Sequence, residues 1–376
     1  MADDAFFRGR KAAAVLKHGV VSRYVVPFAT KVGSTSVGNR VVVLDGYAGE
    51  GRYKDGTPGS PIFFADAARK IAPPRSMELI FIEQKKGRYE KLRGVLAAEA
   101  SDVAYEVWHG TVDEHLDAAL ARAAGLPLFA FLDPCGVGLP FTDISQRIFG
   151  RPHHQFAPAT EVLLNFSAEA VRRIGGRLRE EEDAPGRAAT LALMGKACGG
   201  DWWRDVYLAA DSPEQASAQI ATGFASRLRD ATGAGSWVIG VRNAEHQQPK
   251  YALVFLSRHP DGLYLYGEAM STSQQDWRRA VVPPGSLLDD DEAFDATEQE
   301  MADQWINEIA GNIERLVQTS PGFRLNSKYG EVMGSLLGRA REKHIRSALK
   351  RLQTAGVLSS NCVGVKKLQN HVITKA

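Results

Sequence analysis

Cysteine is scarce in this chain. Its 376 residues hold three, Cys135, Cys198 and Cys362. No two form a C-x-x-C pair, which argues against a zinc site or a disulfide framework and fits a reducing compartment. Long hydrophobic runs are also missing. No apolar stretch reaches the roughly 18 residues that suggest a spanning helix, and the opening MADDAFFRGRK has no hydrophobic signal core. A cytoplasmic protein with no membrane contact and no bound metal is therefore expected. No internal repeat is evident. Net charge is only +2, from 46 Lys/Arg and 44 Asp/Glu, and this near-balance hides an asymmetry taken up below. An apolar share of 44% supports a substantial core.

What is present is a run of strand ends that carry acids. Val41–Tyr53 reads VVVLDGYAGEGRY. A β-branched apolar run ends in Asp45, followed by Gly46, Tyr47, Gly49 and Gly51. A continuous apolar run suits a buried parallel strand, and the glycines let the backbone turn sharply and approach a ligand. ELIFIE ends a second run at Glu83, placed to accept hydrogen bonds from ribose hydroxyls. Gly49 to Glu83 spans 34 positions, longer than the usual gap of about 20, and Arg52–Gly59 reads as an insertion. Ser60 and Pro61 then resemble an N-cap and a first helical residue. LFAFLDPCG ends a third run at Asp133-Pro134. Ligands of open α/β sheets bind outside the carboxyl ends of the strands, so Asp45, Glu83 and Asp133 converge on one crevice. A crevice of carboxylates with no Lys-bearing phosphate loop suits a cationic, phosphate-free nucleoside such as S-adenosylmethionine.

The alternation of strands and helices predicts a parallel sheet with right-handed crossovers. A leading helix over 10–30 ends near Pro27. Strands follow at Arg40–Asp45, Glu78–Glu83, Val103–His109, Leu128–Asp133 and Thr160–Asn165. Residues 168–231 read as a charged helical insertion or lid. Ser236–Asn243 and Lys250–Arg258 alternate like an antiparallel pair. The expected fold is α/β, a Rossmann-like class I methyltransferase sheet, mostly parallel with an antiparallel last strand. It fills 1–282. An acidic linker and helix cover 283–320, with 283–303 as linker or exposed turn. A small basic winged-helix-like domain covers 321–376.

The chain resembles the three-Cys-motif partner protein family. Lys17-His18, Tyr24 and Phe28, then LDGYAGEGRY, GSPI (Gly59–Ile62), FIEQ, FLDPCG and VLLNFS carry the resemblance, over about residues 10–270. It implies a class I methyltransferase fold, a methyl-donor cofactor, and a partner protein with a three-cysteine, radical-SAM-like motif.

Asp133-Pro134 is similar to the acid-Pro-Pro-aromatic motif of amino-group methyltransferases, in which the acid and a proline carbonyl aim an exocyclic amine at the methyl group. The aromatic that stacks a flipped base is replaced here by Cys135-Gly136. Tyr47 or Tyr53 supplies a π-face instead, or no base is bound. Cys135 is either a nucleophile or a small buried residue. Gly110 and Thr111, after His109, lie near the adenine or form a plain turn, and Asp113 stands in for the acid often found after that glycine. Asn165 lines the crevice or caps the next element, and Ser60 lies on the substrate side. His153-His154 are read as loop histidines, and Trp202-Trp203 as the anchor of the helical insertion.

Residues 321–376 hold 11 Lys/Arg and 2 acids, leaving 35 basic and 42 acidic residues in the rest. Arg339, Lys343, Arg346 and Lys350 recur every three or four positions opposite Ile345, Ala348, Leu349 and Leu352. This pattern predicts a helix with a basic face toward DNA or RNA, or a solvated face. Two functions stand side by side. One is an S-adenosylmethionine-dependent methyltransferase acting on nucleic acid. The other is a non-catalytic binding protein on a degenerate methyltransferase fold.

Overall fold

The computed structural model describes residues 12–155, 157–244, 246–283 and 285–376. Two compact units divide the chain, one of residues 21–259 and one of residues 1–20 with 260–376.

In the first unit the apolar runs become the strands of one seven-stranded sheet. These are Arg40–Asp45 (β1), Ser76–Glu83 (β2), Tyr105–His109 (β3), Leu128–Leu132 (β4), Thr160–Phe166 (β5), Gly235–Val241 (β6) and Tyr251–Ser257 (β7). Their order is β3-β2-β1-β4-β5-β7-β6. Every pairing is parallel except those of β7 with β5 and β6. This is the class I methyltransferase arrangement, with the sheet reversing direction at β1 and β4. That reversal is the point where open α/β sheets take their ligands. β1 and β4 are buried almost throughout, as strands covered on both faces must be.

One face of the sheet carries Leu44, Ile82, Leu132, Leu164 and Val254, packed with Leu116, Ile148, Phe224 and Trp203. The helices between β5 and β6 are Ala168–Gly176, Arg187–Cys198, Trp202–Ala209 and Pro213–Thr232. Leu191, Met194, Trp203, Tyr207, Ile220 and Phe224 place them inside this core. The segment read as an insertion or lid packs as a layer over one sheet face, sharing a buried cluster with Val162, Leu164 and Phe166 of β5. Trp203 is fully buried, and Trp202 donates to the Cys198 carbonyl at 2.9 Å, which is the expected anchoring.

The other face carries Phe129, Phe131 and Phe255 against Tyr24, Phe28 and Phe64. Tyr24 and Phe28 lie on the helix Ala12–Gly33, which passes through Pro27 instead of ending there. An interior proline costs about 3 kcal/mol. Tyr24, Val25, Phe28 and Ala29 are buried to 1% exposure or less, and each large side chain returns roughly 1.5–3 kcal/mol, so continuation wins.

In the second unit, Pro260–Val281 and Asp291–Thr319 are long helices, followed by short helices and Glu342–Thr354. The acidic run Asp289–Glu292 is exposed, with Asp289 and Asp290 in a turn, and it leads directly into a helix. Asp290 caps the second of these helices, accepting from Glu292 N at 3.0 Å and Ala293 N at 3.1 Å, and carboxylates in a first turn suit the helix dipole. The tail holds a two-stranded ribbon, Gly322–Arg324 (β8) paired with Val372–Thr374 (β9). Val363 and Val365 lie outside it. Val363 is 73% exposed, and its N–H turns back to Asn361 Oδ1 at 2.8 Å, so no strand partner holds it. One ribbon strand precedes the short helices and Glu342–Thr354 and the other follows them, and Leu358 adds an antiparallel bridge to Lys375.

Candidate cofactor and acceptor site

The site is built where β1, β2 and β4 end. Asp45 closes β1 and is fully buried. Its Oδ1 accepts the Tyr47 N–H at 3.2 Å, which turns the chain at once. Gly46 N donates to Phe131 O on β4 and Ala48 N to Ile82 O on β2, both at 3.0 Å, so the loop remains tied to both neighbours. A Cβ on Gly46 would meet Leu132 at 2.9 Å and Val112 at 3.0 Å, so any side chain there would have to displace these two. Gly49 has φ +70 and nothing within 4 Å of its missing Cβ. It is a left-handed residue facing open space, the kind of cradle a ligand occupies. Gly51 has φ +80 with Leu92 and Val95 at 3.1 Å, a packing constraint on the far side of the loop.

Glu83, 7% exposed, joins the strands' tips. Oε2 accepts the Gly49 N–H at 3.0 Å, and Oε1 accepts the Lys85 N–H at 2.7 Å. Each oxygen keeps a second lone pair, so the carboxylate orders the glycine loop and still has acceptor capacity for hydroxyls. The segment Arg52–Gly59 is an ordered excursion. Tyr53 N donates to Thr57 O at 2.8 Å, and Gly59 N returns to Gly51 O at 2.8 Å. Arg52 Nε is held by Glu99 Oε1 at 2.7 Å. Tyr53 is 47% exposed. Ser60 is the first residue of the helix Ser60–Ile71, and the N-cap is Gly59, extended at φ −91 and making no side-chain cap. The cap reading of Ser60 is thereby corrected by one position, because glycine ends the excursion that precedes the helix.

At β3 the turn His109-Gly110-Thr111 is a helix start. Gly110 has φ +146, and a Cβ there would strike His115 and Glu114. Thr111 and Glu114 form a reciprocal capping box on Val112–Arg122, which occupies both the Thr111 hydroxyl and its N–H. Asp113 pairs with Arg147 at 3.1 Å and does not serve as the expected crevice acid. Arg147 also binds Asp117 at 2.9 Å and Asp143 at 3.0 Å, and Asp143 opens a π-helical turn over Asp143–Ile148. The half-buried Tyr47 has its phenol pushed up to about 12 by burial and the nearby Asp143 charge, so it is a neutral donor at physiological pH.

Asp133 and Asn165 sit side by side beyond the register pair Leu132↔Leu164, and Asn165 Nδ2 donates to Asp133 Oδ1 at 2.7 Å. Next to this pair lies a pocket of about 450 Å³ that includes Pro134, Leu139, Leu164, Phe166, Met194 and Phe224. Cys135 is exposed, so it is not the small buried residue of the alternative reading. Periodicity had marked Asn165. It gave no sign of Met194 and Phe224, which come from helices far along the chain, nor of Asp143 beside Tyr47. Among the described residues no cluster of His, Cys, Asp and Glu could hold a metal, and no helix is long and apolar enough to cross a membrane. His153 Nδ1 lies 3.2 Å from Arg151 O, in keeping with loop histidines.

In the tail, Ile345, Ala348, Leu349 and Leu352 are buried on the inner face of Glu342–Thr354. Lys343 and Lys350 are exposed. Arg339 lies in a turn ahead of the helix, because the chain between Leu336 and Ala340 closes short backbone turns. Arg346 is half-buried. It donates to Val365 O at 2.8 Å and to Glu342 at 2.7 Å, so its guanidinium is committed to holding the tail and is not presented to phosphate.

No protein-family model matches the chain, and no curated protein matches it. The resemblance stated above therefore remains one of motifs. Three solved structures are similar in part. The cofactor-bound Rv0187 from MTB is 18% identical, over 66% of this chain and 89% of its own, with a TM-score of 0.31. The O-methyltransferase TomG of Streptomyces achromogenes, described in complex with SAM, is 14% identical over 69% and 96%, with a TM-score of 0.32. The DszA carbon methyltransferase is 11% identical over 58% of this chain and 47% of its own, with a TM-score of 0.29. With scores this low, strand order and direction describe the fold more firmly than any neighbour. That order places the chain in the class I methyltransferase-like fold.

Proposed function

We propose that the chain is an S-adenosylmethionine-dependent methyltransferase. The observation that carries this reading is the stitched loop. Asp45 and Glu83 hold Gly46–Gly51 at the sheet's reversal point, with Gly49 left-handed and open above it. The donor set fits the group. It offers carboxylates for ribose hydroxyls and a cation, and the loop has no lysine for a phosphate. In this reading Glu83 receives the ribose hydroxyls, the Gly46–Gly51 backbone with Asp45 and Tyr47 lines the rest of the cleft, and Gly110 and Thr111 flank the adenine side through backbone alone. The bound cofactor supplies an electrophilic methyl group.

The remaining work belongs to the protein. Methyl transfer is an in-line displacement in which alignment contributes up to roughly 7–11 kcal/mol. Asp133, oriented by Asn165, accepts a hydrogen bond from the acceptor's N–H or O–H, and the Pro134 carbonyl offers a second. That fixes the nucleophile's lone pair and gives its proton somewhere to go. Ser60 and Tyr53 border the same cleft. A nucleic-acid acceptor rests on the basic tail, where Lys343 and Lys350 remain available and Arg339 and Arg346 have lost their expected places. The missing aromatic after Pro134 favours a second reading, a non-catalytic protein that uses the same fold to recognise a nucleotide or a partner such as a three-cysteine radical-SAM-like protein. Calorimetric titration of S-adenosylmethionine tests the first step, with micromolar binding expected. No heat of binding refutes the methyltransferase reading, and binding with no methylated product under any acceptor leaves the second reading ahead.

A further inference from the structure

The pocket beside Asp133 has a chemical character that the basic tail does not share. Its walls are Leu132, Leu164 and Phe166 from the strands, Leu139 and Ile144 from the segment after β4, and Met194, Ala197 and Phe224 from the helical layer. The polar side chains in its lining are Asn165 and Ser167. The Ser167 hydroxyl caps the following helix, accepting from Ala170 N at 3.1 Å. Asn165 spends its amide nitrogen on Asp133, while its Oδ1 is buried and receives no donor among the described residues. A buried acceptor left unsatisfied is costly, and a ligand N–H or O–H would satisfy it.

We infer that this pocket takes the methyl acceptor, and that the acceptor is a small, largely apolar aromatic molecule with few polar groups, one of its hydrogen-bond donors directed at Asn165 Oδ1 beside the group that meets Asp133. This rests on the methyltransferase reading above and names the substrate class of that site. A flipped nucleobase fits poorly. It carries several donors and acceptors along its edges, and walls of leucine, isoleucine, methionine and phenylalanine leave most of them unpaired. The helical layer beside the pocket packs its apolar side chains into the core of the unit.

The test uses the full chain and three probes, indole, N-methylindole and cytidine, followed by saturation-transfer NMR and calorimetry. Indole should bind. N-methylindole, lacking the donor, should bind about tenfold more weakly, the size of one net hydrogen bond, and cytidine should show no transfer. Asn165→Leu should bring indole down to the level of N-methylindole with the circular dichroism unchanged. If that variant does not fold, the comparison of the first two probes on the parent protein decides alone. Equal binding of those two probes, or preferential binding of cytidine, overturns the inference. S-adenosylmethionine binding is measured on the same sample. Indole binding without it sinks the methyltransferase reading and leaves the pocket's chemistry standing. Cofactor binding with no indole signal overturns the pocket inference alone.

Discussion

Glu161 offers the sharpest test of the packing argument. It lies on β5, fully buried beneath the aromatic face. Tyr24 Oη donates to Oε2, and Ser257 Oγ lies 2.8 Å from Oε1 and 3.1 Å from the His259 carbonyl. Burial raises this carboxyl from 4.5 to about 7, against the opposing effects of the two hydroxyls and of Lys31. A protonated Glu161 satisfies the whole chain. Its hydroxyl donates to Ser257, Ser257 donates to His259 O, and Tyr24 donates to the free carbonyl oxygen. Because the folded pKa lies above the unfolded one, the stability is intact at acid pH. It falls as pH rises from about 4.5 to about 7 and stays lower above that. At 1.36 kcal/mol per unit the loss is about 3 kcal/mol. Glu161→Gln mimics the protonated state, with its amide donating to Ser257 and its carbonyl accepting from Tyr24. Urea unfolding followed by tryptophan fluorescence, at about pH 5 and about pH 8.5, gives the comparison. The variant should match the parent to within about 1 kcal/mol at the lower pH and exceed it by about 3 kcal/mol at the higher. A variant less stable than the parent at the higher pH would mean that the hydrogen bonds to the ionised carboxylate outweigh the cost of burying it.

Glu83→Ala removes an acceptor that also orders the glycine loop, so S-adenosylmethionine binding should weaken by about 10- to 150-fold, the worth of a charge-assisted hydrogen bond. Unchanged affinity by calorimetry removes Glu83 from the site. Asp133→Ala should abolish turnover and leave cofactor affinity within a few-fold, and loss of binding instead would move Asp133 to cofactor recognition. His344 is buried against Trp305, accepts the Arg341 N–H at 3.0 Å, and is pushed down to about 4 by burial and nearby cations. Its contribution is present above about 6.5 and lost as pH falls toward about 4, so its NMR titration should show no inflection near neutrality, and one there would contradict the burial. Replacing Lys343 and Lys350 by Gln should lower the log–log salt slope of any duplex binding by about two units, since each phosphate that a lysine neutralises adds about 0.9. An unchanged slope makes that helix face solvent-facing only.

The strands, the acids at their tips and the glycine loop were legible in the sequence because each is a local pattern. An apolar run with an acid at its end says strand and strand tip whatever lies elsewhere. The amphipathic helix over Glu342–Thr354 was legible for the same reason, since Ile345, Leu349 and Leu352 sit at helical spacing. Features that depend on two distant segments meeting were not. Pro27 reads as a helix stop, and only the aromatic face of the sheet beneath Tyr24 and Phe28 makes continuation cheaper. Asp289–Glu292 reads as a linker, and becomes a cap and a first turn once the helix Asp291–Thr319 has a core to pack on. Arg346 reads as a basic face, yet it is spent on carbonyls 16 and 19 residues away. The pocket is the plainest case. Its walls come from β4, the segment after it, β5 and three helices, spread over residues 132–224, and no periodicity within one segment encodes which apolar faces will meet. Local sequence therefore determined the elements and the acids at their tips. Tertiary packing decided which of those groups remain available for a ligand, because burial and hydrogen-bond satisfaction are properties of the assembled chain.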